Sequence, residues 1–119
     1  MNDARFQINR FNRKTAMANL EPQYISRQAL TERLQSEVVT LVGADLNWWT
    51  KHSVAPFSAR HGDLRHFVVA AFAKHIIFFA DDEDEFGVAK LADSDQAIVD
   101  YGLAGDLIDA VRVIRRIAA

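Results

Sequence analysis

Apolar residues recur at Leu30, Leu34, Val38, Leu41 and Val42, a spacing that puts them on one face of an α-helix. Arg27, Gln28, Thr31, Arg33, Gln35, Glu37 and Thr40 fill the other faces. Ser26 stands where an N-cap hydroxyl would accept a free first-turn N–H. Gly43 stands where a left-handed residue would stop the helix. The pattern then changes. Residues 65–72 and 75–80 are apolar without clean alternation, which predicts strands covered on both faces, and Ala73-Lys74 between them permits a tight turn. A third strand is predicted over 86–91. A fourth over 97–101 carries Ile98 and Asp100 on one side and Val99 and Tyr101 on the other. Asp93-Ser94-Asp95 reads as the turn between them. Gly102 and Gly105 punctuate the exit. Leu107, Val111, Ile114 and Ala118 then form the apolar face of a final helix opened by Gly105 or Asp106. Asp106 and Asp109 in its first turn, and Arg112, Arg115 and Arg116 towards its end, complement the helix dipole.

The rest of the chain is less regular. Phe6, Ile8 and Arg10 alternate weakly, and residues 1–25 fit either a short strand or an arm laid over the body. Trp48 and Trp49 are adjacent, so they diverge on a helix or a strand; one is expected in the core and the other half exposed. Residues 50–64, with Pro56, Gly62 and two histidines, read as a loop. The fold class predicted is α+β, an antiparallel sheet of about four strands with an N-terminal and a C-terminal helix packed on one face.

At 119 residues the chain is expected to form one domain, large enough to fold without a disulfide or a metal. Cysteine is absent, which excludes a disulfide framework, thiolate metal sites and a cysteine nucleophile. The longest apolar run, residues 67–73, is too short to span a bilayer, which takes about 20 residues in a helix. Residues 1–6 carry no apolar run and no small-residue cleavage site. No signal peptide is therefore expected, and the protein is placed in the cytoplasm, with no membrane partner.

A formal net charge of −2 conceals an uneven distribution. Residues 1–80 hold ten Lys/Arg and six Asp/Glu, whereas residues 81–109 hold ten Asp/Glu and one lysine, Lys90. Five of those acids are consecutive: Asp81, Asp82, Glu83, Asp84 and Glu85. Such a run can be a solvated loop and nothing more. It also carries mutual repulsion that arginines of the same chain or a cationic partner would relieve. A calcium loop of the EF-hand type does not fit: counted from Asp82, the fifth position is Phe86, which offers no oxygen ligand. The basic residues Arg5, Arg10, Arg13 and Lys14 come with no aromatic-stacking or groove-reading module, so no nucleic-acid partner is expected. No phosphate loop, nucleophile elbow or dinucleotide fingerprint is present. His61, Asp63 and His66 are close in sequence and could form an acid–base or metal trio, the basis of an alternative reading as a small ligand-binding or metal-dependent enzyme domain. A structural oligomerising subunit is a further alternative.

The segment 66–117 resembles small immunity proteins of bacterial contact-dependent and polymorphic toxin systems. The resemblance is carried by Ile76-Ile77-Phe78-Phe79, the acids Asp81 to Glu85, Phe86-Gly87-Val88, and Tyr101-Gly102-Leu103 ahead of Leu107. It implies a protein without catalytic residues, metal or cofactor that binds and neutralises a cognate basic toxin, commonly a nuclease. On this reading Asp81, Asp82, Glu83, Asp84 and Glu85 attract the partner and Phe86 supplies an apolar anchor. Asp93 and Asp95 extend the patch if their turn lies at the same end of the sheet.

Overall fold

A computed structural model describes residues 25–93 and 95–118. The expected strand or arm over the first 25 residues lies, apart from Ile25, outside the described residues, and so does Ser94 of the predicted turn. Helix α1 (Arg27–Val38) and helix α2 (Gly43–His52) are followed by strands β1 (Ser53–His61), β2 (Leu64–Phe72), β3 (His75–Ala80), β4 (Glu85–Leu91) and β5 (Ile98–Gly105), and by helix α3 (Leu107–Ile117). The strands form one antiparallel sheet in the order β1-β2-β3-β4-β5, each pairing with its sequence neighbour. The fold is α+β as expected, with five strands and three helices among the described residues.

Helix α1 starts as its sequence specifies, with Ser26 Oγ accepting from the Ala29 N–H at 3.0 Å. It ends at Val38, short of the expected stop at Gly43. The β-branched run Val38-Val39-Thr40 is a poor helix continuation. Thr40 Oγ1 donates to the Glu37 carbonyl at 2.6 Å, and the Thr40 and Leu41 N–H groups bond three residues back, tightening the chain into a turn. Leu41 is buried, whereas Val42 is exposed and leaves the predicted face. Gly43, at φ +56°, opens α2 instead of closing α1.

The predicted loop over 50–64 is corrected to the end of α2, the whole of β1 and the turn that follows it. Pro56 lies within β1 without ending it. It falls within a register irregularity between Ser53 and Phe57 on an edge strand, a place where its missing N–H removes no ladder bond. Gly62, at φ +63°, and Asp63 make the turn into β2. The fourth predicted strand, 97–101, runs on through Gly102 to Gly105 as β5, with Gly87 opposite Leu103 and Phe86 opposite Gly105.

All three helices pack on one face of the sheet. Their core joins Val69, Ile77, Phe79, Phe86 and Val88 to Leu107, Ala110, Val111 and Ile114 of α3, with Leu30, Leu41 and Trp49 beside them. Trp49 is therefore the core tryptophan, and Trp48 lies half-buried against His52, ring centroids 4.7 Å apart. The opposite face is also buried, through Val68, Ile76, Phe78, Ala80, Ala89 and Ile98. Curvature of the sheet explains this second core. Register irregularities in the β2–β3 and β4–β5 ladders coil the sheet. The two edge strands approach each other, with the rings of His61 and Tyr101 4.3 Å apart and Arg60 paired to Asp95. Burial of Phe78, Phe79 and Phe86 contributes about 1.5–3 kcal/mol each.

Candidate functional site

The acidic run forms the tight connection between β3 and β4. The Glu83 and Asp84 N–H groups both donate to the Ala80 carbonyl, at 3.0 and 2.8 Å, and Asp84 adopts φ +57°. Asp84 Oδ1 accepts from Arg33 Nη1 at 2.9 Å. Arg33 Nε donates to Glu37 Oε2 at 2.8 Å, and Glu37 Oε1 accepts from the Leu107 N–H at 3.0 Å. Arg33 also lies over the rings of Phe79 and Phe86, 5.2 and 5.5 Å from their centroids. Burial alone would lower the Arg33 pKa; hydrogen bonds to Glu37 and Asp84, and their charges, outweigh it and raise it. The repulsion inherent in five adjacent acids is thus relieved in part from within the chain.

The eight residues predicted to meet a partner separate into distinct groups. Asp82 and Glu83 are exposed at the tip of the turn. Asp84 is exposed but tied to Arg33, Asp81 is buried, and Glu85 is half-buried at the start of β4. Phe86 is corrected as a surface anchor: it is fully buried under Arg33 and against Phe79, ring centroids 5.1 Å apart. Asp93 and Asp95 lie at the other end of β4, because an antiparallel meander puts successive turns at opposite ends of the sheet. The condition for their extending the patch is not met. Asp93 pairs with Lys74 Nζ at 3.1 Å and Asp95 with Arg60.

The turn borders a cavity of about 50 Å³, lined by His61, His66, Phe78, Asp82, Glu83 and Tyr101 together with Ala80 and Leu103. The meander brings these residues together: the β1–β2 and β3–β4 turns share one end, and β5 curls towards β1. The His61 and His66 ring centroids are 5.5 Å apart, and His66 stacks on Phe78 at 5.6 Å. His66 is buried, and its Nε2 faces Asp82 Oδ1 at 3.9 Å, too far for a hydrogen bond but close enough to feel the charge. The Nδ1 atoms of both His61 and His66 are buried and have no hydrogen-bond partner among the described residues. Burial lowers the His66 pKa; Asp82 opposes the shift and His61 adds to it.

Of the trio His61, Asp63 and His66, the structure joins the two histidines and leaves Asp63 exposed in the β1–β2 turn; Asp82 occupies the third corner. The hairpin of β2 and β3 sets His66, at the start of β2, beside the end of β3, which Asp82 follows; His61 joins them through β1, the strand that Pro56 conceals in the sequence. Among the described residues no group of three His, Asp or Glu side chains is placed to hold a metal ion. A larger groove of about 340 Å³ lies between β5 and α3, lined in part by His75, Lys90, Asp100, Val113 and Ile117; it includes none of the eight predicted residues. No helix among the described residues is long and apolar enough to cross a membrane. No family model, no curated protein and no solved structure matches the chain.

Proposed function

We propose that the chain is a non-catalytic cytoplasmic binding protein that neutralises a basic protein partner, a toxin domain of the kind implied by the resemblance to immunity proteins. One observation carries the reading: Asp82 and Glu83 project from a hydrogen-bonded turn beside the exposed side chains of Tyr101 and Leu103, all four bordering one depression. Carboxylates on a rigid support attract a cationic surface at long range, and the adjoining aromatic and aliphatic groups supply the contact area on docking. Because Asp84 is tied to Arg33, the long-range attraction is assigned to Asp82 and Glu83.

Co-purification with the products of adjacent reading frames, washed at low and at high salt, tests the reading. A basic protein that is toxic alone and tolerated in the presence of this chain is the expected catch. Substituting Asp82→Lys and Glu83→Lys together is expected to slow association about tenfold or more and to flatten its dependence on salt. Capture of no such protein overturns the assignment. A second reading, a small-ligand binding domain, draws support from the unpartnered imidazole nitrogens of His61 and His66 at the cavity.

A further inference from the structure

We infer that the cavity beneath the acidic turn receives one arginine side chain of the basic partner. This inference rests on the proposed function and names the contact through which it would operate.

The chemistry of the cavity is that of a guanidinium receptor. His66 is only 5 % exposed. Its Nε2 faces the Asp82 carboxylate, which favours the proton on that nitrogen and leaves Nδ1 as an acceptor. That acceptor has no donor among the described residues, and neither does His61 Nδ1. A buried polar atom without a partner is destabilising, so a ligand that donates a hydrogen bond there recovers stability. Burial also lowers the His66 pKa, which keeps the ring neutral and able to accept.

The surroundings narrow the donor to a cation. Asp82 and Glu83 line the cavity, and among the described residues no lysine or arginine side chain lines it. Phe78 and Tyr101, ring centroids 6.2 Å apart, add aromatic surface of the kind that attracts a positive charge. The volume of about 50 Å³ holds roughly three water-sized groups, comparable to the head of a guanidinium. Arginine fits better than lysine. Its planar fork offers five donors, so it can serve an imidazole nitrogen and a carboxylate at once. It is also more weakly hydrated than an ammonium and stacks on aromatic rings.

The test uses the full chain and isolated probes. Ring-nitrogen NMR of the histidines is followed during titration with N-acetyl-arginine amide at low salt. The expected result is a saturable change at His66 and His61, half-complete at about millimolar probe as befits one side chain. N-acetyl-citrulline amide, the neutral isostere, and N-acetyl-lysine amide are expected to bind at least about fivefold more weakly, through loss of charge and of the fork respectively. Asp82→Asn with Glu83→Gln, two exposed positions, is expected to weaken the arginine probe about tenfold. No saturable change, or an equal response to citrulline or lysine, overturns the inference. A response to zinc chloride at micromolar concentration also overturns it, in favour of a metal site. Failure here is separable from failure of the proposed function. A captured basic partner whose binding needs Asp82 and Glu83, with no response to the arginine probe, removes the cavity contact alone. A probe response with no captured partner removes the neutralising role alone.

Discussion

The ring of Phe78 lies across Gly87 of the neighbouring strand, so close that a Cβ on Gly87 would stand 2.7 Å from Phe78 Cζ. The Gly102 carbonyl oxygen, 2.8 Å from the same point, blocks the other direction. Glycine at this position is required by the approach of a ring and a third strand, not by an unusual φ. Gly87→Ala is expected to destabilise the fold by about 1–3 kcal/mol, read as a lower urea midpoint. Adding Phe78→Leu should recover little, because the Gly102 carbonyl is backbone and cannot move aside.

Asp45 is buried in the first turn of α2 and accepts from Arg112 Nε at 3.1 Å and Arg115 Nη1 at 2.6 Å. The two arginines are substantially exposed, with side-chain exposures of 57 % and 39 %. Removing the partners of a buried charge costs more than removing the charge itself. Asp45→Asn is expected to lower stability by about 1.5–3 kcal/mol, since the arginines return to water. Arg112→Ala with Arg115→Ala is expected to cost about 3–5 kcal/mol, by leaving the carboxylate buried alone. Equal effects in denaturant melts would contradict this order.

Ala73 adopts φ +57° at the first position of the two-residue connection between β2 and β3. A Cβ is disfavoured in that region, and glycine is not. Ala73→Gly is therefore expected to raise stability by about 0.5–1 kcal/mol, after subtracting the greater freedom glycine has in the unfolded chain. Thermal unfolding of the single variant would show it as a small rise in Tm.

His66 makes stability depend on pH in a defined direction. Its pKa in the folded chain lies below the ordinary value of 6.5 because burial opposes the charge. Between the two values the unfolded chain binds more protons than the folded one, so stability rises with pH. The full contribution is present above pH 6.5, and it is lost progressively as the pH falls towards the folded-state value. Denaturant midpoints at pH 7.5 and 5.5 are expected to differ less in His66→Gln than in the parent chain. An unchanged difference would remove His66 from the account.

The helices show where local signals suffice. Ser26 at α1 announces itself, because a capping side chain bonds the backbone beside it, whereas Asp106 and Asp109 of the α3 capping box are legible in the sequence only as acids suited to the helix dipole. Helix α2 has no such sign: Val42 precedes it without a side-chain cap, and Gly43 reads as an end. β1 was hidden by Pro56, whose cost vanishes only at an irregularity of an edge strand, a fact of pairing and not of composition. The same gap explains the site. The acidic turn was legible as a run of charge, and the pairing of His61 with His66 was legible from proximity in the chain. The approach of His66 to Asp82 follows from the predicted β2–β3 hairpin, whereas His61 joins them only through β1. Phe86 illustrates the opposite error, in which adjacency to exposed acids suggested exposure for a side chain that strand alternation turns inward.

The bonds Asp84–Arg33–Glu37–Leu107 N–H link the tip of the sheet to the start of the last helix through one glutamate with both oxygens engaged. A cation that competes for Asp84 alters the hold of Arg33 on Glu37, and with it the charge available to the Leu107 amide. Leu107 is fully buried and does not line the depression that Asp82 and Glu83 border. Its amide is therefore a built-in indicator: the proton chemical shift registers occupancy of the turn without a label placed in the contact.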